Sequence, residues 1–275
     1  LRPLANVNCL IGLGFGRRRE AASKRIYLGV ANVFDEAGQW LSLTSDDRPL
    51  TEEDLLSIEN REFNVAGTPS FKLHHELTQE IVSDSLDTYA ARLPVRIASK
   101  VVLHKNGLIY ESEACGFLQA LAASVQARSI SLSTCRFALV SVIKNHGIRM
   151  FGPDYADARL PVRNTVTRGS VCVLNENTAV VATTGKTGNR YGGIGTPRPL
   201  LVQRFVPAPA ALASTGFDSS QMYSIGEICE QVLALTKLHW GTTRDIRLPV
   251  TSKYAHEIAS FAARSGVRVD SLLKL

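Results

Sequence analysis

The stretch "CLIGLGFGRRRE", residues 9–20, sets three alternating glycines (Gly12, Gly14, Gly16) between an apolar run and three arginines. Two physical readings compete for it. A glycine-rich loop that leads straight into a helix cradles a phosphate, because backbone N–H groups and the helix dipole converge on the anion. A buried strand whose glycines permit close approach of another backbone carries the same composition. The spacing favours the strand. In a G-x-G-x-x-G fingerprint Arg17 would stand where the third glycine belongs, and "RRREAASKR" is followed at once by a second β-branched segment, not by a helix.

Working outward, the pattern predicts strands at Asn8–Gly16, Arg25–Phe34 and Gln39–Thr44, the last two joined by the turn signal "DEAG" (35–38). Thr51, with Asp54 three residues on, caps a short helix. A loose apolar stripe gives a helix over His74–Arg92, and a buried strand follows at Ala98–His104, ending in "KNG". A helix over Ser112–Arg128 precedes strands at Arg136–Ile143, Gly169–Leu174, Thr178–Thr183 and Leu200–Phe205. Ser224 and Glu227 form a capping box for a helix to about Leu238, and a last helix spans roughly Ser252–Arg264. A meander, then β/α alternation, then closing helices define an α/β fold with a mixed sheet. No linker divides it. A doubly wound parallel fold needs a crossover after its first strand, and residues 16–24 are too short for one.

At 275 residues the chain can bury a sizeable core. It has no apolar run of the ~18 residues a membrane helix needs and no signal-peptide layout. Leu1, in place of Met, reads as a processed or truncated start. Five scattered cysteines without C-x-x-C spacing argue against structural zinc and favour a reducing cytoplasm. The net charge of +6 and pI near 9.2 permit a polyanionic partner without requiring one. The basic residues fall in short groups: Arg17–Arg19 with Lys24 and Arg25, Lys144 with Arg149, Lys186 with Arg190, and Arg198 with Arg204.

Four segments in order carry a resemblance: "LIGLGFG" (10–16) leading to "YLGVANVFDEAGQW" (27–40), "VVLHKNG" (101–107), "GIGTPRPLLV" (193–202) and "LTKLHWGTTRDIRLPVTSKYAHEIASFA" (235–262). Together they resemble the PIWI domain of Argonaute proteins across nearly the whole chain, which implies a ribonuclease-H-like fold. Active members of that family cut a guided target with two metal ions held by Asp, Glu, Asp and a final His or Asp. Hard divalent ions require such anionic oxygen ligands. Matched by motif, the first Asp position falls at Gly14, the second at Asn106, and the last at His256; the mobile Glu would lie within Asp46–Glu62. Glycine offers no ligand atom and asparagine no charge, so the resemblance implies a degenerate site and no cleavage. Each residue also has a plain structural role open to it: close packing at Gly14, a turn at Asn106, an ordinary helix histidine at His256.

What the resemblance leaves is binding of a guide RNA and a single-stranded target DNA, gripped as an A-form duplex through phosphates and shape. The candidate contacts are Arg17, Arg18, Arg19, Lys144, Arg149, Lys186, Arg190 and Arg198. The family also implies a Mg²⁺ at the guide 5′ phosphate, helped by the terminal carboxylate of Leu275, and a MID domain before residue 1. Likeness to short prokaryotic Argonautes implies an APAZ-containing effector partner (TIR, sirtuin-type or nuclease) in anti-phage or anti-plasmid defence. Two rival expectations stand beside this one: an active metal-dependent nuclease with substituted ligands, and a protein-interaction scaffold.

Overall fold

The computed structural model describes residues 4, 6–19, 24–27, 31–44, 72–151, 165–187, 197–239 and 246–265. Ten strands are present in this part: β1 (Cys9–Leu13), β2 (Gly16–Arg19), β3 (Lys24–Tyr27), β4 (Ala31–Phe34), β5 (Trp40–Thr44), β6 (Lys100–Asn106), β7 (Arg136–Ile143), β8 (Val171–Asn175), β9 (Thr178–Val181) and β10 (Leu200–Phe205). The α-helices are α1 (His75–Arg92), α2 (Glu111–Gln126), α3 (Pro209–Thr215), α4 (Ile225–Leu235) and α5 (Val250–Ser265). Eight strands form one mixed sheet in the order β5-β4-β1-β6-β7-β10-β9-β8. Strands β1, β6 and β7 are parallel neighbours, and the outer pairs are antiparallel.

The opening stretch is a strand, but a shorter one than its sequence suggests. β1 ends at Leu13, and β2 with β3 forms a separate antiparallel ribbon with Arg17 opposite Ile26 and Arg18 opposite Arg25. The expected strand Arg25–Phe34 is therefore two strands, β3 and β4. The reason lies in the charge. Arg17, Arg18, Arg19, Lys24 and Arg25 would be desolvated inside a sheet covered on both faces, so this segment leaves the sheet as a ribbon while β4 returns to pair with β1. β6 runs two residues beyond its expected end, to Asn106. The helix α3 was not legible in the sequence. The proposed helix after Thr51 lies outside the described residues.

Alternation along the strands sorts the core into two layers. Cys9, Ile11, Leu13, Val101, Leu103, Phe137 and Leu139 pack with Ile81, Leu86, Tyr89, Phe117 and Leu121 of α1 and α2. Leu10, Val102, Ala138, Val140 and Val142 pack on the other face with Ile228, Val232 and Leu235 of α4 and Val250 of α5. By the same parity Gly12, Gly14, His104 and Asn106 belong to the α5 face, and Lys105 to the α2 face. Ser224 caps α4, accepting from Glu227 N–H while Glu227 reaches back to the Ser224 N–H, as the capping box requires. No described helix is long and apolar enough to cross a membrane.

Candidate nucleic-acid interface

Strand register brings the key positions to one edge. Leu13 lies opposite Lys105, and Asn106 opposite Val142, so Gly14, Asn106 and Lys144 follow one another at the C-terminal ends of the three parallel strands. Across this edge lies α5, which presents small buried residues, Thr251, Ala255 and Ala259, one turn apart. Its backbone rests directly on β1. A Cβ built on Gly12 would lie 2.2 Å from the Thr251 carbonyl oxygen, and one on Gly14 2.4 Å from the Ala255 carbonyl carbon. The two glycines thus make a backbone-to-backbone seat for the helix.

The neighbouring side chains fasten the same helix. Asn106 Nδ2 donates to the Ser252 carbonyl oxygen at 2.9 Å, leaving its buried Oδ1 without a hydrogen-bond partner. His104 Nδ1 lies 2.8 Å from Thr251 Oγ1, and burial pushes its imidazole down to about 4. Because the unfolded histidine ionises near 6.5, the unfolded chain binds the proton first as pH falls. His104 therefore contributes stability that is present above pH 6.5 and is lost as pH falls towards 4, by roughly 3 kcal/mol for a shift of this size. Urea unfolding across that range should show this loss, and His104→Gln should flatten it.

On the α5 side, His256 Nε2 faces Lys144 Nζ at 3.5 Å, and its ring also bonds the Phe15 backbone. Burial and the Lys144 charge lower the His256 pKa; burial and the Arg247 charge lower that of Lys144. Arg247 sits behind them. Its Nη2 donates to the carbonyls of Lys144 and of Pro199 (2.7 Å for the latter), tying the loop after β7 to the segment before β10. Burial with the nearby Arg198 and Arg149 charges lowers Arg247 to about 10. His146 completes the turn: Nε2 donates to Pro199 O at 2.9 Å and Nδ1 accepts from Ile148 N–H at 3.2 Å. With both nitrogens engaged, His146 builds the loop and is not free to hold a ligand.

Lys144, Arg149, Arg198, Arg247 and His256 thus meet at one edge, with the Arg149 and Arg198 residues exposed. Of the sequence candidates, Lys144, Arg149 and Arg198 converge as a patch. Gly14, Asn106 and His256 are also brought together, as the motif matching implied. Arg17, Arg18 and Arg19 lie on β2 of the ribbon, which packs against α5. Lys186 lies in a separate loop, its backbone paired with Val166 and Arg168. Arg204 is structural, held by Asn177 and the Tyr223 carbonyl. Arg190, Leu275 and the acids of 46–62 lie outside the described residues. Among the described residues no group of three or more His, Cys, Asp or Glu could hold a metal ion. Sequence reasoning missed Arg247, although it stands in the specific run "RLPVTSKYAH".

A ribonuclease-H-like sheet with a cationic edge at the ends of its parallel strands is the class of domain these features define. The Piwi domain family model matches residues 10–266, and the chain belongs to that family. Its fold is similar to that of Aquifex aeolicus Argonaute, with a TM-score of 0.53 and 18% identity over 91% of this chain. It is also similar to Marinitoga piezophila Argonaute in complex with a 5′-OH guide RNA, with a TM-score of 0.54 and 16% identity over 96% of this chain. The chain spans 28% and 31% of those two proteins' lengths. No curated protein matches it in sequence.

Proposed function

We propose that this domain is a guide-directed nucleic-acid-binding module of a prokaryotic Argonaute, holding a guide RNA paired to a target DNA without cutting it. The observation that carries this reading is the joint state of one sheet edge: the first acid position is Gly14, closed by the α5 backbone, and the cations Lys144, Arg149, Arg198 and Arg247 gather beside it. Phosphate neutralisation by such a patch gives affinity without sequence choice, which base pairing with the guide supplies. The Marinitoga protein's guide RNA supports the same assignment of ligand. With no nuclease chemistry of its own, the module would act by signalling, its loaded state activating an APAZ-containing effector in defence against phage or plasmids. The MID domain of the same or an associated chain would hold the guide 5′ end and any Mg²⁺ there.

The test is salt-dependent binding to a guide–target heteroduplex. The logarithm of the affinity should fall linearly with the logarithm of salt concentration, and Lys144→Ala, Arg149→Ala and Arg198→Ala should each reduce the slope by roughly one. A slope near zero would favour the scaffold reading instead.

A further inference from the structure

Far from the cationic patch, the sheet ends on an open strand. β8 (Val171–Asn175) is the last strand in the order β5-β4-β1-β6-β7-β10-β9-β8. All five of its residues are exposed, Val171 by 41%, Val173 by 56% and Leu174 by 50%. An edge of β-branched residues invites a further strand, and proteins commonly blunt it with lysine, proline or a covering segment. Here residues 169–175, "GSVCVLN", hold no charge and no proline in a chain of net charge +6.

The ladder shows which backbone groups point outward. The Ser170 carbonyl accepts from the Ala182 N–H at 2.9 Å, so residue 170 faces β9. Alternation along an antiparallel pair then turns Cys172 to β9 and directs the N–H and C=O of Val171 and Val173 away from the sheet. The bulge in β8 lies on the hairpin side of Val173 and leaves this stretch regular. Side chains sort by their partners. Val171 and Val173 stand opposite Val181 and Ala179, on the face that α4 covers, and Cys172 stands opposite Val180, on the other face.

We propose that β8 is a homodimer interface, at which two copies of the chain pair edge to edge, antiparallel, about a twofold axis at Cys172. A twofold contact must be self-complementary, and this register is. It sets Val171 of each copy opposite Val173 of the other, so both outward-facing residues exchange N–H···O=C bonds. Centring on Val171 would instead set Val173 against Gly169, whose N–H is already given to Ala182. Centring on Val173 would carry the pairing past the bulge. The Cys172 register also brings Glu176 of each copy to the end where Arg168 of the other lies, opposite charges flanking a neutral stretch. Because the paired strands run in opposite directions, the two cationic edges point to opposite ends of the joined sheet, and both stay open. A strand this short makes a concentration-dependent dimer, not a permanent one. The inference does not depend on what the cationic edge binds.

The experiment is sedimentation velocity of the full natural protein in reducing buffer over a dilution series, beside non-reducing gels after treatment with diamide. The expected result is a reversible monomer–dimer equilibrium and a cross-linked band of twice the mass. Cys172 should form that band, because a non-hydrogen-bonded antiparallel pair holds its Cα atoms about 4.5 Å apart, within disulfide reach. Diamide takes up the two thiol protons and the electron pair, dithiothreitol reverses the link, and Cys172→Ser abolishes it. Val173→Pro removes an outward N–H that the β8–β9 ladder does not use, and should weaken the dimer by about tenfold or more. Val173→Lys, which charges the edge, should do the same. Urea midpoints at dilutions where wild type is monomeric show whether both variants fold. A dimer or a cross-link indifferent to both substitutions would place the contact elsewhere and overturn the proposal. So would a wild-type protein that stays monomeric throughout: Cys172 shielded from maleimide would then mean that a strand of another domain or partner covers β8, and Cys172 freely labelled that nothing does.

Discussion

Gly14→Asp is expected to destabilise the domain by about 3 kcal/mol or more and to confer no cleavage. The Cβ alone would fall 2.4 Å from the Ala255 carbonyl carbon and 2.5 Å from the His256 nitrogen, and both are main-chain atoms of α5 that cannot rotate aside. Overpacking of this kind costs roughly 1–3 kcal/mol, and a carboxylate placed there adds the cost of burying an unpaired charge. Gly14→Ala separates the two effects and should show only the first. Urea unfolding of the two variants against wild type measures both. An aspartate variant as stable as wild type would mean that α5 can withdraw from β1, and the account of a closed site would fail.

The second large effect is expected at Glu113, on the opposite face of the same strands. Lys105 and Glu113 are fully buried and paired at 2.5 Å. Glu113 Oε1 also accepts from the Leu73 N–H at 2.7 Å, and Oε2 accepts from the Tyr110 N–H at 2.9 Å. Lys105 further lies 5.1 Å from the Tyr110 ring and 5.5 Å from that of Phe15. Glu113→Ala would remove the carboxylate that balances the buried Lys105 charge and deprive two backbone donors of the oxygens they reach, at a cost of about 3–5 kcal/mol. Lys105→Met should cost less, because the remaining carboxylate keeps both N–H donors. The order of the two midpoints in urea decides the matter; a costlier Lys105→Met would show that the lysine, not the carboxylate, organises this corner. Because Asn106 follows Lys105 directly, loss of the pair should also loosen the edge that carries the phosphate contacts.

Much of this was legible in the sequence, for reasons that the structure makes specific. The apolar runs at 9–13 and 136–143, with Val101–Leu103 between them in the sheet, read as buried strands, and the Ser224–Glu227 box marked a helix start to the residue. The motif order placed Gly14, Asn106 and His256 in one neighbourhood before any register was known. What stayed hidden depends on which face a residue takes. The spacing of Gly12 and Gly14 favoured a strand but did not say what lies over it; parity puts both beneath α5. The ribbon at 16–27 was hidden because strand propensity does not say which sheet a strand joins. Arg247 precedes its helix in what reads as a linker; only the folded chain shows its guanidinium joining two loops through carbonyls. Lys105 and Glu113 lie on separate elements with no periodic signal linking them.

The central claim, guided binding without cleavage, is tested most directly by one incubation. The chain, in its full natural protein, is loaded with guide RNA and mixed with end-labelled complementary target in Mg²⁺ or Mn²⁺, then resolved on native and denaturing gels in parallel. The account predicts a shifted complex on the native gel and only full-length target on the denaturing one. Target cut at a fixed distance from the guide end would contradict it.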